Sequence, residues 1–115
     1  MNPIDWAASL RLANGDAALA KELLSLFIKH LPEAQRDIQL ACQKQNYSAL
    51  AGHVHKLYGA CCYCAVPLLS AVLVKLQSAL DLKQWTELNS LQIKIDETAQ
   101  AVQEEYKRLL ANGVL

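Results

Sequence analysis

Hydrophobic positions recur every three or four residues along nearly the whole chain, and no stretch alternates as a strand would. The clearest run is Trp85, Leu88, Leu91, Ile95, Ala99, Val102, Tyr106 and Leu109, which predicts a long final helix closed by Asn112-Gly113. A second run, Leu19, Leu23, Leu26, Phe27 and Leu31, continues past Pro32 to Ile38 and Cys42. It predicts a helix capped by Asp16 that the proline kinks or divides. Before it, Asn2-Pro3 is suited to start a short helix reaching about Leu12, and Asn14-Gly15 supplies a turn. Two further helices are expected, from about Tyr47 to Cys64 and from Pro67 to about Leu82. Pro67 would sit at a first helical position, where its missing N–H is harmless. Short connections between long amphipathic helices favour antiparallel neighbours. The expected fold is therefore all-α, an up-and-down antiparallel four-helix bundle with a short additional N-terminal helix.

Composition narrows this picture. A chain of 115 residues, 53% of them hydrophobic, has material for one core, so a single domain over residues 1–115 is expected. Eleven basic and eleven acidic side chains are scattered with no field of either sign, which argues against nucleic acid as a partner. No charged leader opens the chain, and the four cysteines show no spaced disulfide framework. Both features suit a reducing cytoplasm, and the isolated domain is expected to be a monomer. Residues 57–74 are 18 consecutive uncharged positions, a length that raises the question of a membrane helix. Pro67 interrupts the run and Gly59, Tyr63 and Ser70 lower its apolarity, so two separate helices are expected and no membrane insertion.

The segment from Ala51 to Pro67 carries the candidate chemistry. With about 100° of rotation per residue, Tyr47, Leu50, Ala51, Leu57, Tyr58, Cys61 and Ala65 fall within roughly 60° of Val54 and form a buried stripe. His55 projects about 100° away from that stripe. The residues sharing its side are Ser48, Gly52, Gly59 and Cys62, all small. Glycine inside a helix costs about 1 kcal/mol relative to alanine, so two of them beside one imidazole suggest a surface that something large approaches.

The sequence His55-Lys56-Leu57-Tyr58-Gly59, followed by Cys61, Tyr63, Val66 and Pro67, resembles the active helix of histidine-containing phosphotransfer (HPt) domains, whose pattern is H-x-L-K-G. It is similar in particular to the HPt domain that closes hybrid sensor kinases of the BarA/GacS type, and Ile4-Asp5-Trp6 and Leu31-Pro32-Glu33 fit that group as well. The resemblance implies a four-helix bundle in which His55 is the phosphoacceptor. It implies as partners the receiver domain of a hybrid sensor kinase and a response regulator, and no cofactor or metal held by the domain itself. Tyr58 stands where most of the family has lysine, and Cys62, Cys64 and Ala65 also depart from the pattern. Lys56 either is a solvated lysine or offsets phosphate charge. Tyr58 either packs at the edge of the stripe or donates a hydrogen bond to the phosphoryl group.

The chemistry suits imidazole in general. With an ordinary pKa of about 6.5, the ring offers an unprotonated nitrogen at neutral pH, able to attack the phosphorus of an aspartyl phosphate. Two other classes compete. Cys61-x-x-Cys64 suggests a metal-binding or redox module with Cys42, Cys62, His53 or His55 as further ligands, but structural zinc normally shows two paired halves, and free cysteine on a buried stripe is a small hydrophobe. A helical adaptor without chemistry would have no need of His55 beside Gly59. No phosphate-binding loop or kinase motif set occurs, so the domain is expected to be a phosphoryl carrier and not an ATP-using enzyme.

Overall fold

A computed structural model describes residues 2–115. Its helices are α1 (Trp6–Leu12), α2 (Ala17–Gln43), α3 (Tyr47–Cys61), α4 (Pro67–Asp81) and α5 (Leu88–Ala111), with a 3₁₀ turn at Trp85–Glu87 before the last. Helix α2 packs on α3, α3 on α4, α4 on α5, and α5 returns to α2, while α1 lies against α2. This is the expected four-helix bundle with a short leading helix. The 27 residues of α2 rise about 40 Å at 1.5 Å each, which matches the 42 Å length of the molecule.

Local chemistry sets most of the boundaries. Asp16 caps α2 by accepting a hydrogen bond from the Leu19 N–H at 3.0 Å, and Asn46 caps α3 in the same way through Ala49. Asn14 and Gly15 both adopt positive φ, as the α1–α2 turn requires. At the far end Gly113 has φ +71° and donates to the Leu110 carbonyl, while Val114 donates to that of Leu109, a Schellman closure of α5.

Several boundaries differ from the sequence reading. Helix α1 starts at Trp6 under an Asp5 cap and not at Asn2-Pro3, because the chain bends at Pro3 and Ile4 and draws Ile4 into the core at 2% exposure. The Asp5 N–H donates to the Ala65 carbonyl at 2.8 Å, and the Ala65 N–H donates to the Oγ of the buried Ser9. These bonds tie the N-terminal segment across the α3–α4 connection, and α3 ends at Cys61 instead of Cys64. Pro32 does not divide α2; it is exposed, and the buried Leu31 and Ile38 on either side hold the helix together through the missing hydrogen bond. Leu19 and Leu26, expected inside, are exposed, and the core face of α2 is Ala20, Leu24, Phe27, Leu31, Ile38 and Ala41. Trp85 is not part of the last helix; its ring stacks on Tyr47 with centroids 4.1 Å apart, closing the end of the bundle.

One polar cluster fixes how α2 meets α5. Asp96 accepts hydrogen bonds from the side-chain amides of Gln35 (3.1 Å), Gln39 (2.8 Å) and Gln92 (2.7 Å) in a half-buried position. Removing the shared acceptor strands three amides, and hydrogen bonds to charged groups carry about 1.5–3 kcal/mol each. Asp96→Ala is therefore expected to lower unfolding stability by about 2 kcal/mol in urea titration; a loss within experimental error would show that water replaces the carboxylate freely.

Candidate functional site

The site is built on the outer side of α3. Leu50, Val54, Leu57 and Cys61 are buried in the core, as the sequence stripe expects. This fixes the rotation of the helix and turns His55 outward, where it is exposed. Ser48, Gly52, Gly59 and Cys62 are exposed on the same helix and its cap. A Cβ built on either Gly52 or Gly59 would meet no heavy atom within 4 Å, and both residues have ordinary negative φ. The fold therefore does not require glycine at these two positions.

Two depressions flank α3. Between α3 and α4 lies a cleft of about 400 Å³ that His55 and Tyr58 share with Gln77, Ser78 and Asp81 of α4, over an apolar floor that includes Val54 and Leu73. Between α2 and α3 lies a groove of about 390 Å³, apolar through Leu26, Leu57 and Tyr63 and rimmed by His30, Glu33, Asp37, His53 and Lys56. The structure thus brings Tyr58 to the histidine and turns Lys56 to the other side of the helix. Tyr58 is 39% exposed and not buried in the stripe. His30 and His53 lie on the rim of that groove, apart from the cleft that holds His55. Gln77, Ser78 and Asp81 were not singled out from the sequence. The available signal was the antiparallel register of the last two-thirds of the motif helix against the next one, which puts residues near 77 opposite His55.

The cysteines separate by environment. Burial pushes the Cys61 thiol up to about 12 and the Cys64 thiol up to about 11 from an ordinary 9.0, with the hydrogen bond to Ser70 opposing the shift at Cys61. Both thiols therefore stay protonated where a metal ligand or redox nucleophile must be a thiolate. Among the described residues no three His, Cys, Asp or Glu side chains converge on a common point. A raised thiol pKa stabilises the native state fully below the unfolded value of 9.0, and that contribution is lost as pH climbs towards about 12. Alkylation of the native protein at pH 8 should accordingly modify the exposed Cys62 and spare Cys61 and Cys64 until denaturant is added, as peptide mass spectrometry would read. Early labelling of Cys61 would contradict its burial.

An outward histidine on the second helix of a four-helix ring, beside two glycines with open space above them, defines a class of bundle whose core is scaffold and whose distinctive side chain lies on its surface. The Hpt domain family profile matches residues 22–112. The chain is 34% identical over 64 residues to the signal transduction histidine-protein kinase BarA of Escherichia coli K12, covering 56% of this chain and 7% of that protein. It is 34% identical over 91 residues to the sensor histidine kinase GacS of Pseudomonas protegens, covering 76% of this chain and 10% of that protein. Among solved structures, the HPT domain of a Shewanella sensor hybrid histidine kinase superposes with TM-score 0.85 at 28% identity, over 96% of this chain and 95% of that one. The histidine-containing phosphotransfer protein HptB of Pseudomonas aeruginosa shares the fold, with TM-score 0.81 at 18% identity over 92% of each chain. The chain belongs to the Hpt domain family, whose members are phosphocarriers of two-component phosphorelays. It spans no more than about a tenth of the curated kinases it matches. No described helix is long and apolar enough to cross a membrane; the uncharged run 57–74 is broken between Cys61 and Pro67.

Proposed function

We propose that residues 1–115 form a single phosphotransfer domain in which His55 accepts a phosphoryl group from a receiver-domain aspartate and passes it to the aspartate of a response regulator. The observation that carries this reading is the surroundings of His55: an exposed imidazole in the H-x-L-x-G context, with Gly52 and Gly59 leaving its approach open. In the forward step an unprotonated ring nitrogen attacks phosphorus, the acyl O–P bond breaks, the aspartate leaves as carboxylate, and an N–P bond forms. The ring then releases its other proton to solvent. In the return step the regulator's carboxylate displaces the imidazole. Such transfers depend on alignment and on neutralising charge at the three equatorial oxygens. The receiver supplies the metal and the lysine for this, so the present chain needs no cofactor and no ATP-binding machinery.

The small outer face of α3, made by Ser48, Gly52, Gly59 and Cys62, is the floor on which the receiver sits, and the apolar α2–α3 groove with Leu26 and Tyr63 is its rim. The domain works in the cytoplasm, as a monomer that engages its protein partners in turn. Incubation with an acyl-phosphorylated receiver domain tests the reading: the chain should acquire acid-labile, base-stable phosphate. A receiver that loses its phosphate only to water, with none appearing on this chain, would exclude the transfer.

A further inference from the structure

The cleft that holds His55 contains, among the described residues, no lysine or arginine. Its polar lining is Tyr58, Gln77, Ser78 and Asp81, and the one formal charge beside the imidazole is the Asp81 carboxylate. Lys56, next in sequence, lines the groove on the opposite flank of α3. Adjacent helical residues diverge by about 100°, whereas positions three apart are neighbours with Cβ atoms about 5–6 Å from each other. Tyr58 is three residues after His55, is part of the same cleft and is exposed enough for its hydroxyl to remain free to donate. Among the described residues the Tyr58 hydroxyl makes no hydrogen bond.

We infer that Tyr58 is the phosphoryl-contacting residue of this domain: its hydroxyl donates a hydrogen bond to an oxygen of the phosphoryl group on His55, in a cleft that steadies the group by neutral donors and not by a cation. The inference rests on His55 being the phosphoacceptor and concerns how the group is held once attached. Hydrogen bonds from neutral donors to an anion are short-ranged and little affected by ionic strength, whereas attraction between exposed charges fades with added salt. A cleft lined by a carboxylate and by no cation also leaves charge neutralisation to the docked receiver, so the phosphoryl group is held loosely between partners and transferred when the partner's cations arrive.

The test uses the intact chain phosphorylated with phosphoramidate, whose P–N bond breaks as the N–P bond to the ring forms. Its nitrogen leaves as ammonia and the displaced ring proton passes to solvent. With tyrosine labelled at Cζ, phosphorylation is expected to move the ¹³C signal of Tyr58 while those of Tyr47 and Tyr106 stay in place. The ³¹P signal of Tyr58→Phe is expected to be displaced from that of the unsubstituted chain, by an amount that persists between low salt and roughly 0.5 M salt. Displacement in Lys56→Ala should be smaller. An unmoved Tyr58 carbon, an unchanged ³¹P signal in Tyr58→Phe, or a larger and salt-sensitive displacement in Lys56→Ala would overturn the inference. Failure of the underlying reading looks different: no phosphohistidine signal forms, or the signal survives in His55→Gln. Because Tyr58 is exposed, Tyr58→Phe should keep its melting temperature, so the two ³¹P signals are compared between folded chains.

Discussion

Gly59→Gln is expected to slow phosphotransfer from a receiver by two orders of magnitude or more while leaving the bundle as stable as before, or more so. The stability half of this expectation follows from helix propensity and free space. Gly59 lies inside α3, its φ is ordinary, and a Cβ there meets no heavy atom within 4 Å. Replacing an exposed mid-helix glycine by a good helix former gains up to about 1 kcal/mol, which raises the melting temperature by a few degrees in a domain of this size. The functional half follows from position. Residue 59 is one turn beyond His55 on nearly the same side, so a glutamine there stands beside the imidazole where the receiver's aspartate must come within bonding distance. A misplacement of about 1 Å at a reacting centre costs on the order of a hundredfold in rate. Gly52→Gln should act in the same direction but more weakly, lying about 160° round from the buried stripe against about 100° for His55. The pair of measurements is melting temperature and transfer rate. Wild-type transfer by Gly59→Gln, or loss explained by melting, would remove the docking floor from the account.

Much of this architecture was legible because helical periodicity and caps are local signals. Asp16, Pro67 and Asn112-Gly113 each act within one turn of their own position, and each marks the boundary it was expected to mark. Longer-range contacts were not legible. Nothing near Asn2-Pro3 tells that Ile4 will enter the core or that Asp5 and Ser9 will bind the backbone of Ala65, more than fifty residues away, and so both the start of α1 and the end of α3 were displaced. Helix α2 misled for a different reason. It carries apolar residues beyond its core face: Leu19 and Leu26 are both exposed, and Leu26 lines the groove and not the core. Periodicity alone gives both sets of residues the same weight; only the packing of α3 and α5 against the helix chooses between them.

The site was legible to a similar depth. Rotation of the motif helix could be worked out from Val54 and Leu57, and it places His55, Gly52 and Gly59 outside as the structure does. The same rotation separates Lys56 from His55, but that separation gains meaning only when α2 and α4 stand on either side and give each residue a different cleft. Gln77, Ser78 and Asp81 enter the site through the register of α3 against α4, a relation between elements that no single-helix pattern contains.

His55→Gln is expected to abolish phosphate labelling altogether, the largest effect in the account, because glutamine keeps a polar side chain of similar reach but has no nucleophilic ring nitrogen. As an exposed position with no hydrogen bond among the described residues, it should shift stability by less than about 0.5 kcal/mol, so the loss is chemical and not structural. His30 and His53 serve as internal comparisons, since both lie on the far groove, across α3 from the glycine face and the α4 cleft. The decisive measurement is incorporation of acid-labile, base-stable phosphate from an acyl-phosphorylated receiver domain into the unsubstituted chain and the His30→Gln, His53→Gln and His55→Gln variants, with circular dichroism confirming that each is folded. Label is expected on the first three and none on His55→Gln; label persisting on folded His55→Gln would contradict His55 as the phosphoacceptor.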